Sequence, residues 1–193
     1  GVAHLLVACP KVDGLVNNLG IYSASDFETT PDAEWLRFFE TNVLSGVRLA
    51  RHYLPQMKAQ NWGRIVFVSS ESALNAPAEM VHYGMTKAAQ LSVARGLAQT
   101  TAGSGVTVNS VLPGPTRSEG VGTFFAELAA AQGVSLAEAE QAFFAHARPT
   151  SLLKRFIEPA EVAALVAYVC SPRSAATNGA ALRVDGGIVN SMA

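Results

Sequence analysis

A serine, a tyrosine and a lysine in the middle of the chain, Ser70, Tyr83 and Lys87, stand at the spacing S-x12-Y-x3-K. Tyr83 and Lys87 are four residues apart in a segment that reads as a helix start, so both side chains project from one face. An ammonium beside a phenol favours the phenolate, which predicts a tyrosine pKa drawn down from about 10 towards working pH. Such a tyrosine can give or take a proton, and Ser70 supplies a second hydroxyl to hold a carbonyl oxygen. Alone the pair is weak, because a tyrosine and a lysine at this spacing also arise by chance and serve plain packing.

The elements that carry these residues strengthen the case. Ile65, Val66, Phe67 and Val68 make a continuous apolar run that reads as a strand buried on both faces, as in a parallel sheet. Ser70 then stands at the carboxyl end of that strand, where open α/β sheets place their ligands. Upstream, a strand from Val12 ends in the turn Asn17, Asn18, Leu19, Gly20. Thr41, Asn42 and Val43 lie inside a long helix, and a strand over 106–112 ends in Pro113 and Gly114. In kind and order these motifs resemble the short-chain dehydrogenase/reductase family: an Asn-Asn-Ala-Gly turn, a helix asparagine, a serine, Tyr-x3-Lys and Pro-Gly. The resemblance covers nearly the whole chain. It implies a doubly wound parallel sheet of the Rossmann type and hydride transfer between NAD or NADP and a small carbonyl or alcohol.

By that resemblance Tyr83 is the general acid of carbonyl reduction, or the general base of alcohol oxidation. Lys87 lowers the tyrosine pKa and hydrogen bonds the nicotinamide ribose. Ser70, rather than Ser69, keeps the twelve-residue gap, and alternation along the strand points the two serines to opposite sides. Asn42, a poor helix former, holds a water that relays protons to the lysine. Asn17, Asn18 and Gly20 border the adenine ribose, with Leu19 where alanine is usual. After Pro113 and Gly114, the backbone of Thr116 and the hydroxyl of Ser118 grip the nicotinamide carboxamide. The plain alternatives are a packed tyrosine, a solvated lysine and a packing asparagine.

One family element is absent from the sequence. The glycine-rich turn that cradles the cofactor pyrophosphate has no counterpart, and residues 2–9 read as the end of a helix leading into the Asn17 strand. The chain is similar to the C-terminal three-quarters of a family member, about 60–80 residues short. The 193 residues alone are therefore expected to bind cofactor poorly. A second reading follows, a non-catalytic remnant that keeps only an assembly surface; a third is a nucleotide-sensing module. Ser70, Tyr83, Lys87 and Asn42 argue against both, since folding does not require all four together.

Composition narrows the remaining classes. A length of 193 residues suits one domain, and 49% hydrophobic with 15% charged residues suits a sheet covered on both faces. A net charge of −1 with mixed signs speaks against nucleic-acid binding, and no apolar run approaches the ~20 residues of a membrane span. Cys9 and Cys170 read as two buried free thiols in a reducing cytoplasm. His4, His52, His82 and His146 show no metal-ligand spacing.

A helix is expected over 32–60, opened by Pro31 and closed by Asn61, Trp62 and Gly63, and another over 80–101. Both carry apolar residues on more than one face, Leu36, Leu44 and Leu49 beside Phe39 and Val43, which suits a homo-oligomer; resemblance suggests a tetramer or dimer. Residues 116–157 read as an insertion with helices over 122–132 and 135–148, the second opened by a capping box from Ser135 to Glu138. Its Phe124, Phe125, Phe143 and Phe144 either pack the helices onto the body or line a lid over the substrate. A last helix from Pro159 to Cys170 and a strand over 181–184 complete the pattern.

Overall fold

A computed structural model describes residues 1–192; the side chain of Phe124, and with it that residue's expected share in the insertion's packing, lies outside the description. Helix α1 (Val2–Ala8) leads to strand β1 (Gly14–Asn17), and α2 (Asp32–Phe39) to a π-helical turn (Glu40–Leu44) and α3 (Ser45–Ala59). Strand β2 (Gly63–Val68), α4 (Val81–Thr100) and β3 (Val106–Pro113) follow. Helices α5 (Glu119–Gln132), α6 (Leu136–His146) and α7 (Pro159–Cys170) precede β4 (Ala181–Val184). The four strands form one parallel sheet in the order β1-β2-β3-β4, with Leu15 opposite Ile65 and Val66 opposite Asn109.

Parallel strands leave both faces to be covered by the connecting helices, and the burial of β2 shows the result. Ile65 and Phe67 join Leu15, Val106 and Val108 in a core shared with Ala50, Tyr53 and Met57 of α3 and Ala94 and Ala98 of α4. Val66 and Val111 point the other way and meet Val169 of α7. The expected doubly wound arrangement is therefore present. In β1 only Leu15 and Asn17 are buried, while Val16, on the α7 side, is 42% exposed.

The 32–60 helix is one run of helical backbone, but not one α-helix. The π turn at Glu40–Leu44 interrupts it, and Asn42 sits at its centre. A π turn adds a residue to one coil, so the helix faces before and after it are offset; such turns often mark functional sites. The run stops at Asn61, whose φ of 56° is left-handed and whose side-chain oxygen accepts from the Gly105 amide. The capping box of α6 is formed as expected, and α5 starts three residues early because Ser118 caps it. Leu36 is largely exposed, whereas Leu44 and Leu49 are half-buried.

The expectation for the cysteines is corrected. Cys9 is exposed, because it ends a helix none of whose residues is buried, and Cys170 is half-buried with its thiol pushed up by desolvation. Among the described residues no helix is long and apolar enough to cross a membrane.

Candidate active site

The carboxyl ends of β1, β2 and β3 and the N-terminal turns of α4 bring the chemistry-bearing residues together. Ser69 and Ser70 leave β2 on opposite sides, as alternation requires. The Ser69 hydroxyl donates to the Lys87 carbonyl at 2.8 Å and ties the strand to α4. Ser70 points into the site, where its oxygen accepts the Ser72 amide at 3.1 Å, its hydroxyl lies 3.5 Å from Glu71 Oε2, and it stands close enough to the Tyr83 phenol to act on its pKa. Tyr83 and Lys87, one turn apart on α4, face each other with the ammonium 5.5 Å from the ring centroid. Tyr22, from the segment after β1, meets the Tyr83 ring edge-on at 6.5 Å.

The protonation states differ from the expected ones. The Tyr83 phenol is pushed up to about 12, first by desolvation and further by the charges of Glu71 and Tyr22; the Ser70 hydrogen bond pulls the other way. Tyr83 as a whole is only half-buried, so the effect belongs to the oxygen's surroundings and not to burial of the whole residue. Lys87 does not supply the expected pull. It is itself buried, which lowers its ammonium to about 8, and its hydrogen bond goes to the Val68 carbonyl at 3.1 Å. Sequence spacing conveys that the two side chains are neighbours; it does not convey that both are out of water.

Asn42 is held from every side. Its amide nitrogen donates to the Ile21 carbonyl and to Thr86 Oγ1, each at 3.0 Å, and its Oδ1 accepts the Ile21 amide at 2.8 Å. Its own carbonyl accepts Gln90 Nε2 at 2.6 Å. Both amide donors are thus engaged, and Oδ1 retains one lone pair for any further partner. Ile21 and Thr86 carry no chemical signature of their own, which is why the sequence did not mark them as partners. The segment they pin places Gly20 beside the site: a Cβ there would stand 3.4 Å from Lys87 Nζ and 3.6 Å from Asn42 Oδ1. Gly20 therefore lies at the lysine end of the turn. Asn18 and Leu19 are exposed, and Asn17 is buried with neither side-chain atom hydrogen bonded.

Past β3, Pro113 is still strand and Gly114 donates its amide to the Val184 carbonyl at 3.1 Å. Gly114 passes so close to the next segment that a Cβ would fall 2.6 Å from the Asp185 carbonyl oxygen. Gly114→Ala must therefore displace backbone. We expect it to cost about 1–3 kcal/mol, read as a lower urea midpoint at unchanged slope; an unchanged midpoint would show that the two segments part freely. Thr116 Oγ1 donates to the Gly114 carbonyl at 2.9 Å, and Ser118 Oγ accepts the Val121 amide at a long 3.4 Å as the cap of α5. The Ser118 hydroxyl proton remains free to donate elsewhere.

Glu71 is a site neighbour that the sequence reading passed over, although a carboxylate directly after an apolar strand is an available signal. It is buried, takes the Ser72 hydroxyl at 2.5 Å, and has its pKa raised chiefly by desolvation.

Comparisons with known proteins bear on the family and the fold. A family model described as enoyl-(acyl carrier protein) reductase matches residues 2–189. The chain is 48% identical over 192 residues to an uncharacterized oxidoreductase, YvaG, of Bacillus subtilis strain 168, covering 100% of this chain and 73% of the relative. The crystal structure of L-sorbose reductase from Gluconobacter frateurii, complexed with NADPH and L-sorbose, matches with a TM-score of 0.90 at 28% identity, over 99% of this chain and 72% of that one. A solved short chain dehydrogenase/reductase family protein matches with a TM-score of 0.81 at 33% identity, over 96% and 71% of the two chains.

Proposed function

The chain belongs to the short-chain dehydrogenase/reductase family, and from that premise we propose that it interconverts a small carbonyl compound and its alcohol, in the direction of reduction, with Tyr83 as the proton donor. The observation that carries the reading is the meeting of the Ser70 and Tyr83 hydroxyls beside the buried Lys87 ammonium, at the carboxyl edge of a parallel sheet.

The residues present fit the nicotinamide end of a dinucleotide. Lys87 Nζ has three donors and gives one to Val68, so two are available to ribose hydroxyls, and Gly20 leaves the approach to them clear of a side chain. Pro113, Gly114, the Thr116 backbone and the Ser118 hydroxyl would hold the nicotinamide carboxamide, while Asn17 and Asn18 would border the turn on the adenine side. NADPH or NADH, when bound, supplies the hydride that the carbonyl carbon accepts. As negative charge gathers on the carbonyl oxygen, Ser70 donates a hydrogen bond to it and Tyr83 transfers its proton. A phenol with a pKa of about 12 is fully protonated near neutral pH, the form a reductase needs. Asn42 fixes the π turn, Thr86 and the Gly20–Ile21 segment in one arrangement, and so holds the lysine side of the site in place. Residues 116–157, which pack around their own cluster of Phe125, Phe144 and Phe156, would act as a substrate lid on this single domain.

The direct test follows NADPH oxidation by the full-length protein with L-sorbose and ethyl acetoacetate as ketones. Turnover that depends on Ser70 and Tyr83 supports the reading. No oxidation of either cofactor by these or other small ketones would favour the non-catalytic alternative.

A further inference from the structure

Arg148, just past α6 in the insertion, reaches back across a groove of about 590 Å³ that separates it from the loop between Ser70 and Tyr83. Its guanidinium lies over the Phe143 ring at 5.6 Å and meets two carboxylates at 3.6 Å each: Nε faces Oε1 of the buried Glu71, and Nη1 faces Oε1 of the exposed Glu79. Nη1 also donates to the Ala147 carbonyl at 2.7 Å. The partners differ in kind, since the Glu71 side chain is 5% exposed and that of Glu79 is 55% exposed. Glu71 directly follows Ser70, and its second oxygen, Oε2, has two suitors. Ser72 Oγ donates to it at 2.5 Å, and Ser70 Oγ lies at the limit of a hydrogen bond, 3.5 Å.

A buried carboxylate cannot stay ionised without donors or a cation. Here Arg148 pairs with Oε1 at 3.6 Å and Ser72 donates to Oε2 at 2.5 Å, so the Ser70 hydroxyl, 3.5 Å from an oxygen that Ser72 already serves, is held only weakly. Without the guanidinium, Glu71 has two ways to make good the loss. It can draw the Ser70 hydroxyl proton towards itself, or it can take a proton and become a donor. Either one changes what the Ser70 hydroxyl is free to do.

We infer that Arg148 is a positioning residue: by pairing with Glu71 it keeps that carboxylate from capturing the Ser70 hydroxyl, which stays free to donate to the substrate oxygen. The inference rests on the reductase reading above and extends it to an indirect link, through Glu71, between the insertion and Ser70. Arg148 does not touch the reacting atoms; its whole effect passes through Glu71. Glu79 holds the same guanidinium from the solvent side, where its charge is screened.

The test is a suppressor experiment in the full-length protein, using NADPH and L-sorbose or ethyl acetoacetate. Arg148→Met is expected to lower kcat by about 10- to 100-fold with KM changed only a few-fold, the size of a lost hydroxyl contribution. Glu71→Gln alone, which removes the charge that competes for Ser70, should stay within a few-fold of the parent. The double variant should recover to the level of Glu71→Gln, whereas a packing role for Arg148 would leave it as poor as Arg148→Met. Arg148→Lys should retain most of the activity, and Glu79→Gln should leave kcat unchanged. If Arg148→Met does not fold by circular dichroism, the folded double variant decides: activity near the parent supports the inference, and loss of activity overturns it. A parent with no turnover at all refutes the reductase reading and this inference with it. A parent that turns over, with no recovery in the double variant, refutes this inference alone.

Discussion

Tyr83→Phe is expected to lower kcat at least about 100-fold while leaving NADPH affinity within a few-fold of the parent. The substitution deletes one oxygen and keeps the ring. The ring makes the contacts that position it, with Lys87 Nζ 5.5 Å from its centroid and Tyr22 edge-on at 6.5 Å. The lost oxygen has the Ser70 hydroxyl as its neighbour, and Ser70 keeps its bond from the Ser72 amide. A phenol whose pKa is about 12 carries no charge at neutral pH, so no ion is removed and the fold should not suffer. Turnover is measured by loss of NADPH absorbance and affinity by NADPH fluorescence. Activity within a few-fold of the parent would place the proton donor on another group.

Lys87→Met is expected to do the reverse of what a lost interaction normally does to stability: inactivate the protein and make it more stable. In the folded chain the ammonium pKa is depressed from 10.5 to about 8 by burial. Below about pH 8 both folded and unfolded chains carry the charge, and the full cost of burying it is present. Between about 8 and 10.5 the folded chain sheds the proton first, the unfolded state binds more protons, and stability rises with pH. Methionine removes both the cost and the slope. At pH 7 the variant should gain about 1–3 kcal/mol, less than the full shift implies because the Val68 hydrogen bond is also lost. Urea unfolding at pH 7 and pH 9.5 measures this, and a variant less stable than the parent at pH 7 would show that Lys87 is not a buried burden. Tyr83 acts in the opposite sense and higher up. Its raised folded pKa lowers stability only as pH climbs above about 10, where the unfolded phenol ionises. Reduction itself should fade above about pH 8 as Lys87 loses the charge with which it would hold the ribose hydroxyls.

These two residues also show how far the sequence could be read. Their spacing on α4, the apolar run of β2 and the Pro113–Gly114 step were legible because each follows from a local period or a turn residue. So was the cap of α6, where Ser135 and Glu138 satisfy one another within a single turn. What lay beyond reach depends on contacts between distant segments. The π turn at Asn42 leaves no trace in the hydrophobic period, since Phe39, Val43 and Val47 continue it without a break. Asn42's partner Ile21 contributes only backbone, which any residue offers. The Tyr83 pKa was expected with the wrong sign because adjacency to Lys87 could be counted and desolvation could not. Arg148 and Glu71 meet only after the insertion folds back over the Ser70 loop. Cys9 looked buried among apolar neighbours, yet its helix rests on the body without burying a residue.

In the proposed reaction this site passes hydride to a carbonyl carbon while Tyr83 protonates the oxygen. Mass spectrometry of the alcohol formed by the full-length protein from a ketone and NADPH deuterated at the nicotinamide C4 tests it most directly. One deuterium is expected on the carbinol carbon, carried by one face of the nicotinamide, with no product above background from the Tyr83→Phe protein. Alcohol formed without deuterium from either C4-labelled cofactor, or labelled product formed at an undiminished rate by Tyr83→Phe, would contradict it.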